Sequence, residues 1–179
     1  MTRRKIPFPI PVRAHGLEIF ERARPNGVIL CSLHIPLCKV ALRRLIENGF
    51  HPDLAITHHR NKNTSIAVWG ITDVIPAIKA GPVVFFKAKT ILNQGKCLLA
   101  LADPVFGADI SPNLFFLAHR LKSQIIYFLA ELMPEGDIEV SFFESTIKDA
   151  NAEKAVGAQV SELRGYSDRI INRYQNLKF

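Results

Sequence analysis

The sequence predicts an α/β protein with a mainly parallel central sheet, helices on both faces of the sheet and a C-terminal antiparallel hairpin. The first observation behind this prediction is that short apolar runs alternate along the chain with segments of helical spacing. The second is that most of the apolar runs show no two-residue alternation, which is typical of strands covered on both faces. The expected order is helix, strand, helix, strand, strand, helix, strand, helix, hairpin, helix, with right-handed crossovers between parallel strands.

The chain length and composition predict one compact domain over residues 1–179. The hydrophobic content of 48% is enough for a substantial core. Within it we expect a basic, proline-rich arm and a short helix at residues 1–25, an α/β core at 26–145 and a last helix at 149–177 with an interruption near Gly165. No P-loop or dinucleotide glycine signature is visible, so no cofactor is expected.

Each predicted element has a local reason. The run Val28 to Cys31 lies between Gly27 and Pro36, and Pro36 favours the first turn of a helix that ends at Asn48-Gly49. The other expected strands are 53–57, 71–75, 97–102 and 124–132, and the other expected helices begin near 84 and 111. Pro134 to Asp137 forms a turn into 138–143, which alternates apolar and polar residues and predicts a hairpin at a half-exposed edge.

The net charge of +7 is unevenly distributed along the chain. Residues 1–62 hold 11 Lys/Arg and 4 Asp/Glu, whereas residues 63–179 hold 12 of each. A one-sided basic surface attracts an anionic membrane surface, a nucleic acid or an acidic protein, and it is equally compatible with a solvated face that has no partner. Nucleic acid is not expected, because no aromatic stacking motif or recognition helix is visible. The oligomeric state stays open.

The cysteines and the hydropathy indicate the compartment. Cys31, Cys38 and Cys97 lie inside apolar runs without C-x-x-C spacing, which predicts buried free thiols rather than disulfides or a metal site. No stretch of 18 consecutive apolar residues occurs, and the basic first residues lack an apolar signal core. We therefore expect a cytoplasmic protein, peripheral to a membrane if it meets one at all.

Three groups of polar residues follow predicted strands, where ligands collect in open α/β sheets. His34 follows the first strand; its ring either does chemistry or is satisfied by a neighbouring backbone carbonyl. Asp103 directly follows the strand 97–102. The sequence His59-Arg60-Asn61-Lys62 either binds an oxyanion such as phosphate or forms a solvated loop. The adjacent histidines His58 and His59 lack the spacing of a metal site.

Several segments, taken in order, resemble the lysophospholipid acyltransferase superfamily and, within it, the bacterial lipid A biosynthesis acyltransferases. They are NGVILCSLHIPL, ITHHRNKN, ILNQGKCLLALADPVFG and SPNLFFLAHRLKSQIIYFLAELMPEGDIEVSFFES. The resemblance covers roughly residues 26–145. It implies transfer of an acyl group from a thioester, on acyl carrier protein or coenzyme A, to a hydroxyl or amine acceptor. His34 would be the general base and Arg60 and Lys62 would hold a phosphate.

The chain departs from the family at one important position. The family motif is His, four residues, then Asp or Glu, but here Lys39 occupies the acidic position. An ammonium cannot accept the N–H of the imidazole ring, and it disfavours the imidazolium. Asp103 can replace the missing acid if it lies within hydrogen-bond distance of His34. The alternative is a catalytically impaired relative that binds an acyl chain or a carrier protein.

Overall fold

A computed structural model describes residues 10–23, 27–57, 65–68, 74–105, 107–147 and 151–176. The strands are β1 (Val12–His15), β2 (Val28–Ser32), β3 (Leu54–Thr57), β4 (Ser65–Ala67), β5 (Val74–Lys79), β6 (Cys97–Leu101), β7 (Gln124–Leu132) and β8 (Ile138–Glu144). The helices are α1 (Ile19–Ala23), α2 (Cys38–Glu47), α3 (Pro82–Asn93), α4 (Asn113–Leu121) and α5 (Ala152–Asn176).

The described strands form one eight-stranded sheet in the order β1-β8-β7-β2-β6-β3-β5-β4. The pairs β7–β8 and β4–β5 are antiparallel, and the other neighbours run parallel. This confirms the predicted α/β class with a mainly parallel sheet and an antiparallel pair near one end. β2 lies near the middle of the sheet, and all five of its residues are buried.

Two hydrophobic cores cover the two faces of the sheet. On one face α3, α4 and α5 pack over alternate residues of the central strands, including Ile29 and Cys31 of β2. On the other face α1 and α2 pack over the intervening residues, including Val28 and Leu30. A strand between two cores needs apolar side chains at every position, which explains why the run in β2 does not alternate.

The structure corrects three of the sequence expectations. β8 does not lie at an edge, because β1 pairs with it in parallel through Val12↔Ile138 to His15↔Ser141. The strand predicted at 71–75 is β5, which begins at Val74; residues 69–73 lie outside the described residues. α5 continues through Gly165 without interruption.

Gly16 makes the pairing of β1 with β8 possible. Its φ is +82°, and a Cβ atom at this position would lie 1.9 Å from the carbonyl oxygen of Phe142. Only glycine accommodates both the left-handed backbone and the close approach. Residue 16 therefore ends β1 while keeping the chain against β8.

Candidate active site

The carboxyl ends of β2 and β6 lie side by side in the centre of the sheet. Ser32 pairs with Leu101 at the last position of the ladder, and the amide of Ala102 donates to the carbonyl oxygen of Ser32 at 2.8 Å. His34 and Asp103 each lie two residues beyond the paired ends. The register therefore brings the two side chains together at this edge of the sheet.

His34 and Asp103 form a hydrogen-bonded pair. The Oδ1 atom of Asp103 lies 3.1 Å from Nδ1 of His34 and accepts the backbone N–H of His34 at 2.8 Å. Asp103 is 2% exposed, whereas the His34 side chain is 24% exposed. The carboxylate can accept from Nδ1–H only in the tautomer, or the imidazolium, that carries a proton there. In the neutral ring, Nε2 then carries the lone pair, as in a base held by an orienting acid.

Asp103 therefore lies within hydrogen-bond distance of His34, as its predicted role requires. Lys39 is not the partner of Nδ1. Lys39 is exposed. Among the described residues it makes no ion pair with a carboxylate. It lies instead beside His34 at the wall of a cavity.

That cavity has a volume of about 190 Å³ and a mostly apolar lining. Its polar wall is formed by His34, Lys39, Cys38 and Thr57. The apolar wall comes from α2, from three strands that face α2 and from the short strand β4: Leu42, Ile56, Ile66, Leu99, Leu101 and Phe128. The arrangement places a partly exposed imidazole and a lysine at the wall of a mostly apolar pocket.

The thiols close to this site are held in the neutral form. Burial, followed by the negative charge of Asp103, raises the pKa of Cys31 far above its usual value. Burial also raises the pKa of Cys38, although the charge of Lys39 acts in the opposite direction. Cys31, Cys38 and Cys97 are free cysteines. Because a thiol reacts as the thiolate, Cys31 and Cys38 are weak nucleophiles at neutral pH.

The remaining predicted site residues, His59, Arg60, Asn61 and Lys62, lie outside the described residues. Thr57, the last described residue before them, lines the cavity. Their predicted role in binding an oxyanion stays a prediction.

Ser32, the last residue of β2, is a buried polar residue next to this site that the sequence did not single out. Ser32 is fully buried, and its hydroxyl has no hydrogen-bond partner among the described residues. It pairs with Leu101, which lines the cavity. A serine within an otherwise apolar buried run is the sequence signal that was available for this position.

The described part of the chain contains neither a cluster of metal-ligating side chains nor a helix long and apolar enough to cross a membrane. In comparisons with known proteins, neither a protein-family model nor a curated relative matches this sequence. The resemblance to the acyltransferase superfamily therefore rests on the sequence segments quoted above alone.

Proposed function

We propose that this protein transfers an acyl group from an acyl thioester to a hydroxyl or amine acceptor, with His34 as general base and Asp103 as its orienting acid. The observation that carries the proposal is the 3.1 Å contact between Nδ1 of His34 and Oδ1 of Asp103, at the wall of an apolar cavity. A base, an orienting acid and a site for a hydrocarbon chain are the parts that this reaction requires.

For a hydroxyl acceptor, Nε2 of His34 removes the hydroxyl proton as the oxygen attacks the thioester carbonyl carbon. The buried carboxylate of Asp103 stabilises the imidazolium that forms. The tetrahedral intermediate collapses with cleavage of the carbon–sulfur bond. The imidazolium then returns its proton to the departing thiolate, so the products are an ester and a free thiol.

Lys39 fits this scheme in a different role from that of the family acid. Lys39 lines the same cavity as the base. A cation there favours an anionic group on the donor or acceptor, such as the phosphates of coenzyme A or of a phosphorylated acceptor. The same cation disfavours an imidazolium. The buried Asp103 carboxylate, which is hydrogen-bonded to the ring, offsets that effect.

A second candidate function is supported by Lys39 itself. If its charge outweighs the help from Asp103, the protein binds an acyl chain or a carrier protein without turnover. Both functions use the same cavity, so acyl-chain binding alone does not distinguish them. Only product formation distinguishes an acyltransferase from a binding protein.

The test is ester formation followed by mass spectrometry. Octanoyl-, lauroyl- and palmitoyl-CoA serve as donors, and glycerol 3-phosphate, a lysophosphatidate and an aminosugar serve as acceptors. We expect at least one pair to give product with the wild type, and His34→Ala to reduce the rate by about 10²- to 10⁴-fold. His51→Ala, at an exposed histidine outside the cavity, is the matched control. Saturable lauroyl-CoA binding without product in any pair would favour the binding function.

A further inference from the structure

The helices α3 and α4 present apolar side chains to solvent on one side of the sheet. Phe86 is 70% exposed, Val83 is 61% exposed and Phe116 is 42% exposed. They belong to helices that also contribute to the core, through Ala88 and Leu92 of α3 and the buried face of α4. Large exposed apolar side chains that cluster on two adjacent helices, rather than occurring singly, are typical of interaction sites.

These side chains form one continuous surface rather than isolated positions. The rings of Phe85 and Phe86 are in edge contact, with centroids 6.0 Å apart. The guanidinium of Arg120 lies 5.7 Å from the centroid of Phe85 and so connects α3 to α4. Phe116 precedes Arg120 by one helical turn and therefore shares its face. We call this surface, formed by Val83, Phe86, Phe116 and their basic neighbours, the α3/α4 face.

The charge of the α3/α4 face has one sign. Lys87 and Lys89 on α3 and Arg120 on α4 are exposed, and neither helix contains an aspartate or glutamate. The carboxylate of Asp103 is buried. The face therefore combines apolar groups with a basic rim, although the chain beyond residue 62 carries equal numbers of basic and acidic residues.

We propose that the α3/α4 face docks on the surface of an anionic phospholipid bilayer. The phenyl and isopropyl groups enter the boundary of the acyl chains, and the lysine and arginine side chains reach the headgroup phosphates. A phenyl ring that is 70% exposed, next to lysines and an arginine and with no acidic residue on either helix, matches a bilayer surface, where hydrocarbon lies directly below the headgroup phosphates. The bilayer accounts for both features at once.

The α3/α4 face lies on the side of the sheet opposite α2 and the cavity beside His34, but both helices begin at the edge of the sheet where the site lies. α3 follows the carboxyl end of β5, and α4 follows the carboxyl end of β6, where Asp103 lies. A crevice of about 230 Å³ opens between the starts of the two helices, lined by Gly81, Phe85 and Asn113 among others. Leu101 and Ile56 line both this crevice and the cavity beside His34. The proposal does not depend on acyl transfer, because it concerns binding alone.

The test is sedimentation of the full chain with vesicles of phosphatidylcholine and phosphatidylglycerol in about equal parts, and with vesicles of phosphatidylcholine alone. We expect binding to the mixed vesicles that weakens as salt increases. Lys87→Gln with Lys89→Gln should weaken it roughly five-fold for each charge lost. Val83→Ser with Phe86→Ser should weaken it on the order of tenfold.

Matched controls come from exposed positions outside the α3/α4 face. Val74→Ser removes an apolar side chain that is 57% exposed at the start of β5, and Lys154→Gln removes an exposed charge on α5. Neither should change vesicle binding. The proposal is overturned if the wild type does not sediment with the mixed vesicles, or if the α3/α4 variants sediment as the wild type does. It is also overturned if the control variants lose as much binding as the α3/α4 variants lose. Capture of an acidic carrier protein by this face, without vesicle binding, would also overturn it.

Discussion

Replacement of Asp103 by asparagine tests how the His34 ring is held. The carboxylate Oδ1 accepts from the backbone N–H of His34 at 2.8 Å and lies 3.1 Å from Nδ1. Both hydrogen bonds of the wild type end on Oδ1. With the amide oxygen at that position, Asp103→Asn still accepts from the backbone N–H and from Nδ1–H, but it carries no negative charge to stabilise the imidazolium that forms when His34 takes up a proton. With the NH₂ group at that position, neither N–H has an acceptor and the proton of the ring moves to Nε2.

The expected loss of turnover is large and the expected loss of stability is small. The same substitution at the orienting acid of a serine protease, where it changes the tautomer, lowers kcat by about 10⁴-fold, and we expect a loss of up to that size here. A hydrogen bond to a charged group contributes about 1.5–3 kcal/mol to stability. Because Asp103 is 2% exposed, its charge also carries a desolvation cost that the amide avoids. The free energy of unfolding should therefore fall by no more than about 3 kcal/mol.

The assay is kcat and KM for the donor and acceptor pair that gives product, alongside denaturation in urea. Asp109→Asn is the matched control, because Asp109 lies in the same loop, is 98% exposed and pairs with Arg164. It should leave kcat unchanged. If Asp103→Asn folds and keeps kcat within about threefold of the wild type, Asp103 does not orient the base and the proposed mechanism is wrong.

Three further predictions concern the fold and the cavity. Gly16→Ala should destabilise the protein by more than about 2 kcal/mol in urea denaturation, because the new Cβ would meet the carbonyl oxygen of Phe142. The control is Gly136→Ala, where φ is +89° but no atom lies within 4 Å, and it should cost only about 1 kcal/mol. Burial alone would raise the pKa of Glu47, but hydrogen bonds from two arginines of α2 lower this pKa overall. The ionised Glu47 side chain therefore stabilises the fold above the usual pKa of 4.5, and this stabilisation is lost as the pH falls through the lowered pKa. The difference in free energy of unfolding between the wild type and Glu47→Gln should therefore shrink in acid; a constant difference between neutral pH and strong acid would contradict this. Leu101→Trp, at the wall of the cavity beside His34, should shift the donor preference from palmitoyl- toward octanoyl-CoA, and an unchanged preference would place the acyl chain elsewhere.

The sequence predicts those strands and helices whose burial produces a local pattern of apolar residues. β2 and β6 lack alternation because both of their faces are covered, and this pattern was readable without the structure. β1 was not readable as a strand, because the prolines around it also suit an extended arm. Its pairing with β8 joins residues far apart in the chain, and this distant contact is what removes β8 from the edge.

For the candidate site, the sequence predicts the individual residues but not the contact between them. His34 and Asp103 could each be predicted at a strand end, but their contact depends on β2 and β6 being neighbours. Three strands separate β2 from β6 along the chain, so only the strand order reveals the pair. The apolar wall of the cavity was invisible in the sequence, because residues such as Leu99 and Phe128 have the same pattern as core residues.

The most direct test of His34 as the base is chemical rescue of His34→Ala. In that variant the missing ring leaves space beside Asp103, and free imidazole added to the assay can occupy it and accept the proton. We expect product formation to fall by at least about 10²-fold without imidazole and to rise with imidazole concentration. Product formation at the wild-type rate without imidazole would show that His34 is not the base.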